Sequence, residues 1–165
     1  MPNVLKHLRT LAIVAPIVLL AAHSDGQPQA SRGDDVAVVV NADTPISDLS
    51  LAEVRKLFLG ERQYWNAKLP VVLLMRAPVA RERDVVLRVV YQMSESQFKQ
   101  YWIAKIYRAE VTASPKIVYS NDVQYELVSA MPGAIAAVDS RGVRPGVKVV
   151  RVDGLLPGDK NYPLR

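Results

Sequence analysis

The chain has 165 residues, with 21 Lys+Arg against 16 Asp+Glu, a formal charge of +5, half of its residues hydrophobic and no cysteine. That length fits one domain, or one plus a tail, and supports a sizeable core; the composition excludes a disordered chain, a collagen and a heptad rod. The missing cysteines exclude disulfides, thiolate metal sites, iron–sulfur clusters, a cysteine nucleophile and a lipid-bearing N-terminal cysteine.

Residues 1–24 have the parts of a secretory signal: Lys6 and Arg9, an apolar run from Leu11 to Ala22, then small residues in Ala22-His23-Ser24. The run is about a dozen residues, short of the ~20 that span a bilayer. An uncleaved anchor or a core helix is the alternative. Cleavage would remove two cations and no acid, lowering +5 to +3. Residues 25–34 read as a flexible leader, and 35–165 as a single domain, periplasmic or secreted, with no stable membrane insertion.

Val36 to Val40 is an unbroken β-branched run, the pattern of a strand buried on both faces. Ser50 and Glu53 then have capping-box spacing, and Leu51, Val54, Leu57 and Phe58 give the helix one apolar face that Gly60 closes. Glu61 to Leu69 reads as a polar loop, and Val71 to Met75 as a second buried strand. A helix is predicted over Val79–Tyr91 with Pro78 near its first turn, and another from the Ser94/Gln97 box to Tyr107. Ile117-Val118-Tyr119 is a short strand, and Ser120 caps a helix whose Val123, Leu127, Val128 and Met131 face the core. Ala134–Val138 and Val147–Val152 are the last strands. Strands alternating with helices predict an α/β fold, a three-layer α/β sandwich.

The catalytic inventory is thin. His7 and His23 both fall in the N-terminal signal, leaving the mature domain without the usual general base and the commonest metal ligand. No HExxH, GxSxG, GxxxxGK or GxGxxG pattern occurs, and Asp34/Asp35 and Asp43/Asp48 read as solvated loop acids. Neither an enzyme nor a metal or cofactor protein is expected. Arg141, Arg144, Lys148 and Arg151 cluster, but without the interleaved aromatics of a nucleic-acid surface, so no nucleic-acid partner is expected. Arg76 is more informative. It ends a buried strand at the carboxyl edge, where ligands of open α/β sheets bind, and a guanidinium there can clamp an oxyanion. Arg81 and Arg83 follow, and their alternative is a solvated face paired with Glu82 and Asp84.

Several motifs occur in order: Val-Val-Val-Asn-Ala-Asp (38–43), Leu-Ser-Leu (49–51), Lys-Leu-Phe-Leu-Gly (56–60), Trp-Asn (65–66), Leu-Pro (69–70), Arg76, Tyr-Trp (101–102), Met-Pro-Gly-Ala-Ile (131–135) and Tyr-Pro-Leu (162–164). With these the chain resembles the periplasmic phosphate-binding proteins of ABC transporters, specifically their short single-domain relatives. The resemblance implies a lobe like that of a type II periplasmic binding protein, with a mixed sheet of about five strands. It also implies an exported solute-binding module for phosphate or a similar small anion, linked to ABC-type uptake, with a membrane transporter as partner. Of the family's anion residues only the arginine carries over, as Arg76. The Ser-Gly-Thr turn that follows it in the family is replaced here by Pro78-Val79-Ala80-Arg81, without a hydroxyl or a glycine. Ligand-binding candidates are therefore Arg76, Ala80 and Arg81 at the following helix N-terminus, with Thr44 and Ser47 from the loop before the first helix. The alternative is a degenerate lobe that docks on an envelope protein and takes no ligand.

Overall fold

The computed structural model describes residues 34–165, so the expected signal and nearly all of the expected leader lie outside the described residues. Strand β1, Val36–Asn41, is buried along its whole length. Its odd and even side chains enter two different cores, as the period-2 geometry of a central strand requires. Val36, Val38 and Val40 join one core, while Ala37 and Val39 join the other.

Short strand β2 (Asp48–Leu49) leads into helix α1, Leu51–Phe58. Both arms of its capping box are present: Glu53 N donates to Ser50 Oγ at 3.2 Å, and Ser50 N donates to the Glu53 carboxylate at 2.8 Å. The sequence reads the next segment as a loop; it holds a small hairpin, β3 (Tyr64–Asn66) and β4 (Leu69–Pro70). Its Trp65 is buried because the indole finds a carbonyl, Gly133 O, at 2.9 Å.

Strand β5, Val72–Arg76, is followed by helix α2, Arg81–Val85, and by a π-helical stretch over Val86–Tyr91. The predicted helix from Val79 therefore starts two residues late. Val79 adopts φ +68°, a left-handed conformation incompatible with a helical start. Helix α3, Glu95–Tyr107, has its full Ser94/Gln97 box. Strand β6 (Lys116–Val118), helix α4 (Asn121–Ala130) and strand β7 (Ala134–Asp139) follow, and the predicted last strand is two pieces, β8 (Val147–Val149) and β9 (Arg151–Val152). It divides at Val150, because β8 pairs with β1 and β9 pairs with β2.

The main sheet has five strands in the order β6-β5-β7-β1-β8. It is mixed: β5 is parallel to both neighbours, whereas β1 is antiparallel to both of its own. Helix α1, the π-helical stretch and α3 cover one face, and α4 covers the other, which makes three layers. The apolar face expected of α4 is rotated. Gln124, Tyr125 and Val128 are buried, while Val123 is exposed. Among the described residues no helix is long and apolar enough to cross a membrane.

Candidate functional site

The carboxyl ends of β5 and β6 lie side by side, with Arg76 level with Val118. Arg76 points its guanidinium along this edge instead of into solvent, and its side chain is 11% exposed. Nη1 donates to Val118 O at 3.1 Å, and Nε lies 3.8 Å from the Glu82 carboxylate without forming a hydrogen bond. The Glu82 carboxylate is itself buried and accepts from Asn121 Nδ2 at 3.1 Å. Asn121 Oδ1 has no hydrogen-bond partner.

The cluster is thus one guanidinium, one carboxylate and one amide, drawn from β5, α2 and α4. The alternative reading of the sequence puts Glu82 on a solvated helix face with Arg81 and Arg83. Neighbours in sequence do not share a helix face, however, and Glu82 turns toward the residue six positions earlier. A buried Arg76 requires a nearby anion, and that requirement is what points to Glu82.

Arg83 also departs from the solvated reading. It is 3% exposed, forks onto both carboxylate oxygens of Glu95 at 2.9 Å, donates to Arg76 O at 2.7 Å and lies 4.7 Å from the centroid of the Phe98 ring. It is a clamp between the end of β5 and the start of α3, and holds the backbone of Arg76 in place. The Arg83 guanidinium holds the Glu95 carboxyl below the usual carboxylate range. Arg81 donates to the backbone carbonyl of Asp34, and its Nη2 is buried without a hydrogen-bond partner. Ala80 caps α2 with no side-chain hydrogen bond.

The five residues expected to bind a ligand do not meet. Arg76, Ala80 and Arg81 share the carboxyl edge of β5. The pairings Leu74↔Ala136 and Ala37↔Val138 put Arg76 level with Ala37, near the start of antiparallel β1. Thr44 and Ser47 follow the far end of that strand, about 13 Å further along at the rise of a β-strand. Thr44 is buried, and its carbonyl accepts from Lys148 Nζ, whereas the exposed Ser47 uses its carbonyl to accept from Arg151 N at 3.0 Å. The reversed direction of β1 carries these two residues to the opposite edge of the sheet. They take no part in the Arg76 site.

Other acids and bases are used structurally. Asp35, expected to be solvated, is buried; its carboxylate accepts from Gly158 N at 2.6 Å and pairs with Arg165 Nε at 3.0 Å, tying down the C-terminus. Arg141 pairs with Asp139 and Arg144 with Asp122, each at 2.5 Å. The Arg141 guanidinium keeps the Asp139 carboxyl below its ordinary range.

The loop between Arg76 and α2 carries strain. Val79, at φ +68°, is 98% exposed, so no packing compensates a β-branched side chain in the left-handed region. Val79→Gly is expected to stabilise the protein by up to ~1 kcal/mol, the relief of strain outweighing the entropy glycine gives the unfolded chain. Urea denaturation checks it, and an unchanged or lower midpoint would contradict the strain. An open groove of about 280 Å³ lies at the other edge, among Leu57, Tyr64, Trp102, Val111 and Lys116, away from Arg76.

No protein-family model matches the chain, and no curated protein matches it by sequence. Solved structures do. The chain is similar to a Clostridium perfringens protein assigned as a phosphate ABC transporter substrate-binding protein and solved with bound phosphate, at 21% identity and a TM-score of 0.61, over 75% of this chain and 47% of that one. It is similar to an ABC-type phosphate transport receptor from Vibrio cholerae at 16% identity and a TM-score of 0.60, over 75% and 48%. PstS from Borrelia burgdorferi matches at 13% identity and a TM-score of 0.61, over 79% and 54%. The fold is therefore the one found in these phosphate-transport binding proteins, and the chain spans about half the length of the solved structures it matches.

Proposed function

We propose that this chain is an exported, solute-binding-type module of the phosphate-receptor kind. In this reading residues 1–24 are a signal, 25–34 a leader and 35–165 a single domain that meets phosphate or a related oxyanion in the periplasm, in the service of ABC-type uptake. It acts by binding and not by turnover.

The observation that carries the reading is Arg76. A nearly buried guanidinium with an unsatisfied Nε stands at the carboxyl edge of β5, the edge where open α/β sheets take ligands. Burial lowers the local dielectric and strengthens a charge-assisted hydrogen bond to an oxyanion. Arg81, five residues on, carries a second cation with a buried unpartnered Nη2 while its Nη1 donates to the Asp34 carbonyl, and Ala80 adds no side-chain hydrogen bond.

Isothermal titration of the exported chain with phosphate and sulfate tests this. Weak binding is expected, with a dissociation constant of about 1 mM, and Arg76→Ala is expected to abolish the heat. No heat with either anion at millimolar concentration overturns the reading. Equal heats for wild type and Arg76→Ala overturn the site.

A second reading, a lobe that docks on an envelope protein, is favoured by apolar side chains at the same edge. Val79 is 98% and Tyr119 83% exposed, and Val123 is exposed on the first turn of α4. Affinity capture from envelope extract, with a Val79→Ser/Tyr119→Ser variant as control, separates this reading from the first. Identical recovery by the two baits counts against it.

A further inference from the structure

The neighbourhood of Arg76 is closed: the space bounded by Met75, Arg76, Glu82, Arg83, Val86 and Ala137 is too small to admit a water molecule. The anion that faces Arg76 across it is the protein's own Glu82 carboxylate. Glu82 is 6% exposed, and its two oxygens divide between Arg76 and Asn121. A buried guanidinium without an anion would carry a large desolvation cost, so Glu82 also supports the fold.

The fit is nevertheless loose. The Arg76–Glu82 approach is 3.8 Å, longer than the 2.7–2.9 Å of a charge-assisted hydrogen bond. Arg76 Nε and Asn121 Oδ1 both remain without hydrogen-bond partners. A tetrahedral oxyanion has more acceptor oxygens than a carboxylate, and, when protonated, a donor for Asn121 Oδ1. The resident group is thus an incomplete substitute.

We propose that Glu82 is an internal pseudo-ligand: its carboxylate occupies the oxyanion seat of Arg76 and must be displaced before phosphate can enter. This rests on the reading of Arg76 as the anion-recognising residue, and it makes Glu82 the determinant of how weakly the site binds. Phosphate carries the same sign of charge as Glu82, so the two cannot share the guanidinium without repulsion.

The test is phosphate titration of wild type, Glu82→Gln and Glu82→Thr, each first checked by circular dichroism and thermal melting. Glu82→Gln keeps the shape and the acceptor for Asn121 while removing the charge; Glu82→Thr also opens the space. Both are expected to bind phosphate about tenfold or more tightly than wild type, since a like charge within a few ångströms disfavours a bound anion by at least that factor. Affinity equal to or below that of wild type, in variants that melt cooperatively, overturns the pseudo-ligand while leaving the reading of Arg76 intact. If neither wild type nor either folded variant binds phosphate or sulfate, the reading and the inference fall together. Should Glu82→Gln not fold, Glu82→Thr decides alone. A gain that persists in an Arg76→Ala/Glu82→Gln double variant also overturns the inference, because the seat would then not be that of Arg76.

Discussion

Gly133→Ala is expected to cost about 3 kcal/mol or more, combining left-handed strain with a backbone clash. Gly133 has φ +78°, and an added Cβ would lie 2.1 Å from Pro70 O. Its carbonyl also accepts from Trp65 Nε1 at 2.9 Å and from Val72 N at 3.0 Å, so the shift needed to relieve the clash breaks both. The residue is where the end of α4, the β3–β4 hairpin and the start of β5 meet. In a domain of this size the loss lowers Tm by roughly 10 °C. Gly154→Ala is the matched control: φ is +76° there, but nothing lies within 4 Å of the added methyl, so only the conformational cost of about 1 kcal/mol is expected. Equal losses in the two variants, measured by urea or thermal unfolding, would refute the close approach as the cause.

Arg83→Ala is expected to destabilise the protein by about 3 kcal/mol, the lower end for breaking a buried ion pair. The lower end applies because Glu95 is 35% exposed and can regain water once its partner is gone. The loss includes the hydrogen bond to Arg76 O and the contact with the Phe98 ring. Arg83→Lys keeps the charge but not the fork that holds both carboxylate oxygens, so it is expected to recover only part of the stability.

The same pair fixes a pH dependence. The Glu95 carboxyl is held below its ordinary value, chiefly by the hydrogen bond from Arg83. Its contribution is therefore fully present above about 4.3, where the unfolded chain's glutamate is ionised, and is lost as pH falls through the lower folded value. Urea midpoints measured between pH 7 and pH 3 are expected to fall less steeply in acid for Glu95→Gln than for wild type. Parallel curves would remove the pair from the acid response.

Much of the scaffold is legible in the sequence. The capping boxes at Ser50 and Ser94 and the unbroken valines of β1 are local or periodic signals, and each became the element it indicated. Local signals failed where a distant partner chose the conformation. The 61–69 segment is a hairpin because Trp65 docks on Gly133. The α4 face is rotated because Tyr125 reaches over to donate to Asp139 O at 2.9 Å. For the site, Arg76 was visible because it ends an apolar run. Glu82 was not, because only the fold brings α2 back over the end of β5.

By itself the sequence determined the inventory of side chains and the alternation of elements, since residue inventory and hydrophobic period require no partner to be read. Only the tertiary structure decided which polar groups face one another. The antiparallel direction of β1 sends Thr44 and Ser47 to the edge away from Arg76, and the burial of Glu82 gives that arginine an anion of its own. Strand direction and charge burial are set by long-range pairing, where the desolvation of a guanidinium must be compensated in three dimensions, not along the chain.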